Sequence, residues 1–342
     1  MERAEAICYP VIAAIGIPVN LVAIVILSRG KCGLSRGITQ YLVAMAVADL
    51  MVVITEVLFF QIVDAYHLHW LWLSHPFCLV HFVLCYMAID CSVWLTVAFT
   101  FDRFVAICWP SIQSKYCNPK IAGLVAGTIC VAFCIMNVPY YFVHEVKVIT
   151  LLGDKWSVCS FKGGFQIHAE YEWFFWVDRL LNPLLPFFLI LFLNILTVRQ
   201  ILASSRIRQG LKGHRNSEKQ HDPEIKSRRQ SIVLLFSLSA SFLICWGTTT
   251  LVFILLRCLY TDLETSIRLW KAQQAGTLIQ LFSCCTNTFI YGVTQTKFRE
   301  QLKTAALWPI NILVRMVKIF ESRQLLMMRR FTSSSDPECD IA

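Results

Sequence analysis

Asp102 and Arg103 stand side by side at the end of a long apolar run and are followed by Phe104. An acid and an arginine at the mouth of an apolar run are costly to place there, and such pairs default to function. A guanidinium and a carboxylate so placed can pair with each other, and their presence at that depth needs a reason. Asp49 lies well inside another apolar run. A carboxylate at that depth costs about 2.5–3.5 kcal/mol on insertion scales, so it must face other protein groups. Arg179 sits beside Asp178, Glu56 and Asp64 lie further along the run of Asp49, and Asp90 lies in the run that ends at Arg103. An arginine offers a bidentate fork to a carboxylate, and a carboxylate accepts an ammonium. That set suits an amino acid or a small amine; the plain alternative is that Arg179 and an acid neutralise each other. No His-Glu-x-x-His, nucleophile elbow or nucleotide loop occurs, so the chemistry is binding rather than catalysis. His67, His69, His75 and His81 cluster without a metal-ligand spacing.

The elements that must position these groups are apolar stretches of about 20 residues or more, the length that crosses a bilayer as a helix. Seven are legible: Ile7–Ser28, Ile38–Asp64, Pro76–Ile107, Ile121–Phe142, Trp173–Ile201, Ile232–Leu256 and Ala272–Val293. Over the 342 residues, 56% are hydrophobic and only 15% charged, a membrane composition. We therefore expect an all-α membrane protein: a short head over residues 1–6, one seven-helix domain over 7–293, and a tail over 294–342. The net charge of +9 is concentrated in particular loops, which argues against nucleic acid. Arg29, Lys31 and Arg36 lie in the first loop, Arg206, Arg208, Lys212, Arg215, Lys219, Lys226 and Arg228 around the fifth, and Lys297, Arg299 and Lys303 after the last crossing. Loops rich in lysine and arginine stay in the cytosol, which puts the N-terminus outside and the C-terminus inside. Residues 297–302 read as a short amphipathic helix on the membrane surface. Most of the 15 cysteines lie in apolar runs and behave as small hydrophobes. Trp173, Phe174, Phe175 and Trp176 are read as interface anchors, with stacking against an aromatic ligand as the alternative.

Further short patterns fall one to a crossing: Gly16-Ile17-Pro18-Val19-Asn20, Ala46-Val47-Ala48-Asp49-Leu50, Cys78 and Ser92 before Asp102-Arg103-Phe104, Cys245-Trp246, and Asn287-Thr288-Phe289-Ile290-Tyr291 ahead of Phe298. In this order the chain resembles a rhodopsin-like G-protein-coupled receptor over about Ile12 to Leu302. Phe104 stands where the family has tyrosine, Asn194 replaces a fifth-crossing tyrosine, and Thr248 and Thr288 replace prolines. Ile129 takes the place of a tryptophan, and Arg228 that of an acid which restrains the arginine in many members. Asn194, Thr288 and Pro139-Tyr140-Tyr141 are similar to an orphan branch reported to respond to aromatic amino acids.

The resemblance implies a heterotrimeric G protein as cytosolic partner, of the Gq class in the orphan branch. It implies a small ligand or a peptide outside, and arrestin and a receptor kinase at the serine-rich tail. Asp102, Arg103, Phe104, Asn194, Arg228, Asn287 and Tyr291 become the coupling residues, while Tyr86, Asp90, Asp178, Arg179, Trp246 and Thr249 converge on the ligand. Asp49 finds partners in Asn20, Ser92, Ser283 and Asn287, and in many relatives this cluster holds sodium; the alternative is a protonated acid with no ion. No other cofactor is implied. Cys78 lies 25 residues before Arg103, a full crossing of about 37 Å at 1.5 Å per residue. Cys78 and Cys159 then face one oxidising compartment and are expected to pair, closing a loop worth roughly 4.5 kcal/mol at most in the chain-entropy account. With Arg228 in place of an acid, the resting restraint on Arg103 is weak. Ligand-free signalling is expected to be appreciable and to fall in Arg228→Glu; basal second-messenger output equal to that of the parent chain would refute this.

Overall fold

The computed structural model describes residues 2–66, 68, 75–151, 154–162, 176–212, 223–258 and 263–305. Within them run seven long helices: Glu2–Ser28, Arg36–Ala65, His75–Cys108, Pro119–Val143 with a break before Pro139, Trp176–Arg206 and its extension to Lys212, Pro223–Cys258, and Leu263–Thr294. We number them first to seventh. Six are long and apolar enough to cross a membrane by composition alone. The seventh is less apolar because it carries Arg268, Lys271, Gln273, Gln274 and Gln280. An eighth, short helix follows over 296–305. The sequence reading of a seven-helix membrane bundle with a surface helix is what the chain forms.

Local rules explain the boundaries. Ser35 caps the second helix by accepting from Ile38 N at 3.3 Å, and Asn118 caps the fourth by accepting from Ile121 N at 3.0 Å, with Pro119 in the first turn. The turn between the first two helices is made at Gly30 and Gly33, whose φ values of 66° and 71° favour glycine. Large apolar side chains point outward along the bundle: Leu124, Val131, Ile135, Ile244 and Val293 are each more than 60% exposed. So large an apolar girdle is unstable in water and is satisfied by lipid. The inward face holds Leu42, Met45, Leu95, Phe99, Leu234, Leu235 and Leu238 in one buried cluster. Phe298 of the surface helix enters the same cluster and meets Tyr291 edge-to-face at 5.9 Å.

Two features depart from regular helix. The second helix passes into a π-helical stretch over Val53–Ile62, and the fifth opens through another over Leu180–Leu184 that contains Pro183. A third departure is from the all-helical expectation. Strands β1 (His144–Leu151) and β2 (Asp154–Phe161) form an antiparallel hairpin between the fourth and fifth helices, with Val146 opposite Cys159. Cys159 is disulfide-bonded to Cys78 at the start of the third helix, with the two Cα atoms 5.9 Å apart. His144 stacks on Phe82 at 4.1 Å, which presses the hairpin onto the bundle mouth. Burial holds the His144 ring below its ordinary value, so it is neutral at pH 7. Residues 306–342, including the serine-rich stretch, lie outside the described residues, as do His67, His69 and residues 163–175.

The disulfide closes a loop of 81 residues. Cys159→Ser is expected to cost up to about 4 kcal/mol. It should lower the thermal midpoint of the purified protein by several degrees; an unchanged midpoint would show that packing alone seats the hairpin.

Candidate functional site

Below the hairpin lies a cavity of about 320 Å³, lined from the second helix by Glu56 and Phe60, from the third by Phe82 and Tyr86, and from the hairpin by His144 and Phe161. Arg179, Thr249, Gln273, Thr277 and Gln280 complete it from the fifth, sixth and seventh helices. Two of its polar atoms, Thr249 Oγ1 and Gln273 Oε1, are buried and have no hydrogen-bond partner among the described residues. A buried polar atom left unpaired costs about 1–3 kcal/mol, so both await an acceptor or donor from elsewhere. Glu56 accepts from Gln61 Nε2 at 2.7 Å and from Cys85 Sγ at 2.9 Å. It reaches this wall because the π-helical stretch turns the helix face at its position. Arg179 is half exposed, lies 5.9 Å from the Phe253 ring centroid, and stands 3.8 Å from Asp178.

The six expected ligand residues do not converge. Tyr86, Arg179 and Thr249 line the cavity, whereas Asp90 and Asp178 line a separate small void with Asn137 and Tyr140. Asp90 accepts from Asn137 Nδ2 at 2.7 Å and from Asn182 Nδ2 at 2.6 Å. Both its oxygens are therefore engaged by amides of the fourth and fifth helices, and it is not presented to the cavity. Asp178 accepts from the Tyr140 hydroxyl. Trp246 sits deeper, beside a void of about 10 Å³ that Ser92, Gln280, Ser283 and Cys284 also line. The acid facing the cavity is Glu56. Its apolar run pointed to it only as one carboxylate among several, because a π-helical stretch leaves no signature in residue type. Asn182 had a better signal: it precedes Pro183, where helix is disfavoured, and its φ/ψ of −152°/108° frees the side chain to reach Asp90.

Deeper in the bundle, Asp49 accepts from Ser92 Oγ at 2.5 Å and from Asn287 Nδ2 at 2.7 Å. The other two expected partners are bound elsewhere. Asn20 Nδ2 donates to Gly16 O and Cys284 O, both at 2.9 Å, and Ser283 Oγ donates to Gln280 O. Their helices present backbone carbonyls closer than the carboxylate. Asn20 Oδ1 is buried and unpaired, and a void the size of one water adjoins Ser92 and Ser283. Carboxylate, hydroxyl and amide oxygens suit a hard monovalent cation.

At the opposite end of the third helix, Arg103 donates to Asp102 through Nε at 3.0 Å and through Nη2, with both side chains buried. Phe104 packs with Val105 and Leu193 and lies edge-to-face on Trp109 at 5.1 Å. Asn194 donates to Ile190 O within its own helix, and its Oδ1 and the Tyr291 hydroxyl are buried without partners. Thr288 donates to Val19 O at 3.3 Å and ties the seventh helix to the first. The backbone of Arg228 lies in the sixth helix; its side chain is outside what is described. Trp176 sits edge-to-face on Phe253 at 5.8 Å, and Trp173, Phe174 and Phe175 lie outside the described residues. Among the described residues no group of three His, Cys, Asp or Glu is placed to hold a metal.

A family model described as "7 transmembrane receptor (rhodopsin family)" matches residues 19–291. Proteinase-activated receptor 1 of Xenopus laevis is 25% identical over 296 residues, 86% of this chain and 64% of that protein. The FMRFamide receptor of Drosophila melanogaster is 25% identical over 59% of this chain and 38% of its own length. The thyrotropin-releasing hormone receptor of Mus musculus is 27% identical over 54% of this chain and 48% of its own. The chain thus spans less than two thirds of the length of these relatives.

The Asp90 site yields a graded expectation. Asp90→Ala leaves one N–H of Asn137, whose Nδ2 keeps its bond to Phe133 O, and one N–H of Asn182 without an acceptor, and should cost about 1–3 kcal/mol for each. Asp90→Asn keeps one acceptor and should cost about half as much. Equal thermal midpoints for the two variants would show that the amides relax to other partners.

Proposed function

This chain belongs to the rhodopsin family of seven-transmembrane receptors, and we propose that it couples an extracellular amino acid or amine, of aromatic type, to a heterotrimeric G protein of the Gq class. It is a multi-pass protein of the plasma membrane, and in the proposed orientation the disulfide end faces out and the Arg103 end faces the cytosol. The observation that carries the reading is the presence of Glu56 and Arg179 on the wall of one cavity whose Thr249 and Gln273 hold unpaired polar atoms. The volume of about 320 Å³ is at the small-ligand end of the usual range. A carboxylate fits the Arg179 fork and an ammonium fits Glu56 with Gln273 Oε1. Phe60, Phe82, Tyr86 and Phe161 supply faces for an aromatic ring.

Binding there bears on Trp246 and the sixth helix just below. A sodium ion would be held by the Asp49 carboxylate and the Ser92 hydroxyl, with Ser283 and Asn20 Oδ1 as further oxygen donors, and would supply a positive charge that favours the resting packing. Outward movement of the sixth helix would free Arg103 from Asp102 and open a cleft for the C-terminal helix of a Gα subunit. Asn194 and Tyr291 carry unpaired atoms at this end and are suited to partner Arg103 in the open state. Ligand and G protein each favour that state, so each strengthens the binding of the other. A receptor kinase and arrestin would act on the tail. A peptide ligand is the second reading, favoured by relatives named for FMRFamide and thyrotropin-releasing hormone.

Calcium and cAMP responses to aromatic amino acids, amines and short peptides, with Arg103→Ala as the uncoupled control, test both readings. Arg179→Glu is expected to weaken amino-acid responses by at least about tenfold, the equivalent of 1.4 kcal/mol, and Glu56→Gln to weaken amines and amino acids alike. Responses to peptides alone, indifferent to both substitutions, would overturn the small-ligand reading.

A further inference from the structure

Asp90 and Asp178 share a void of about 40 Å³ between the third, fourth and fifth helices, apart from the larger cavity. Two carboxylates on one void call for positive charge. Arg179 supplies part of it from 3.8 Å away, but it is half exposed and lies over the Phe253 ring. Among the described residues no other ion pair engages either acid. Asn137 and Asn182 donate to Asp90 and Tyr140 donates to Asp178, and these neutral groups cancel no charge. One negative charge is therefore left in a recess walled by Phe133 and Leu181, where an uncompensated ion is costly.

Asn182 points to the same need independently. It is only 8% exposed, and its Oδ1 has no hydrogen-bond partner among the described residues. Its Nδ2 lies 2.6 Å from Asp90 Oδ1, and the nitrogen and oxygen of an amide are about 2.3 Å apart, so Asn182 Oδ1 stands within about 5 Å of that carboxylate oxygen. One donor group can touch both at ordinary hydrogen-bond lengths. The mouth of the recess faces lipid. Met136 and Val177 on its rim are exposed, and Val138 and Leu180 beside them are exposed apolar chains. Val177 lies one residue inside the span Trp176–Arg206, near the level where lipid headgroups begin. A void of this size takes a few water-sized groups and no aromatic ring. A primary ammonium fits, and it has three N–H donors for two carboxylates and an amide oxygen. A quaternary ammonium has no such donor and is too bulky.

We propose that this recess binds the primary ammonium of a single-chain lipid amine, of the sphingoid-base class, which enters from the bilayer and lays its chain along the outer faces of the fourth and fifth helices. The site is separate from the one assigned to the receptor's small ligand and requires only that the bundle spans a bilayer. Full-length receptor in phosphatidylcholine nanodiscs tests it, loaded with hexadecylamine or with hexadecyltrimethylammonium, with retained amine counted by native mass spectrometry. Hexadecylamine should be retained in preference to its quaternary counterpart. Asp178→Asn, which can still accept from Tyr140, should weaken retention at least about tenfold. Val177→Trp, which narrows the mouth without altering charge, should weaken it too. Glu56→Gln in the larger cavity and Val131→Trp farther along the fourth helix should leave retention unchanged. Absence of retention, the result if a proton alone neutralises the two acids, would overturn the proposal. So would equal retention of the two amines, or a loss in Glu56→Gln as large as in Asp178→Asn, which would move the amine to the larger cavity. Full retention in Val177→Trp would overturn entry from the bilayer, and displacement by butylamine at the same concentration would overturn the lipid assignment.

Discussion

Lipid offers no hydrogen bond, so a polar side chain inside this bundle is satisfied only by another part of the protein. The described structure obeys this helix by helix. Asn20 of the first helix reaches Cys284 O of the seventh, and Asn287 of the seventh meets Asp49 of the second, which also takes Ser92 of the third. Asp90 of the third collects Asn137 of the fourth and Asn182 of the fifth. Ser241 of the sixth pairs with Thr286 of the seventh at 2.8 Å. Apolar contact between helices gains little over contact with lipid tails, so these ties carry much of the information about which helix stands beside which. Among the described residues Asn20, Asn182, Asn194, Ser239, Thr249, Gln273 and Tyr291 each keep a buried side-chain atom without a partner.

Regular helix is suspended where the cavity needs it. Glu56 sits in the π-helical part of the second helix, and Arg179 immediately precedes the π-helical turn that Pro183 imposes on the fifth. Each irregularity rotates a charged residue relative to the helix around it, and the backbone groups so disturbed stay inside protein rather than facing lipid. The hairpin completes the site from above. It is tied by the disulfide at one point and by the His144 stack at another, so residues from five helices and a loop share one small volume.

Much of this was legible in residue order. Long apolar runs located the membrane-crossing part of each helix, because a bilayer demands length and composition whatever the partners are; the fifth helix runs on past Ile201 to Lys212 and the sixth begins before Ile232, at Pro223, through polar residues. The seventh run was read from its apolar half, Ala272–Val293; the helix begins nine residues earlier, at Leu263, through a polar stretch that hydropathy does not reveal. Cys78 and Cys159 were matched by compartment alone. Asp90 was misplaced: depth along a helix was correct, but the direction it faces depends on the neighbouring helix and on where Asn182 breaks from helical geometry.

By itself, the sequence determined that the chain lives in lipid as seven helices, that a disulfide closes one end, and that an acid and an arginine stand at the other. Those properties follow from composition, run length and residue spacing, which one dimension records. Only the tertiary structure decided that Glu56 rather than Asp90 lines the cavity with Arg179, that Asn20 and Ser283 spend their donors on carbonyls, and that Lys297 lies over Gly33. These are choices among partners of similar chemistry at similar depth. Helix rotation and local breaks in periodicity settle them, and neither is written in residue type.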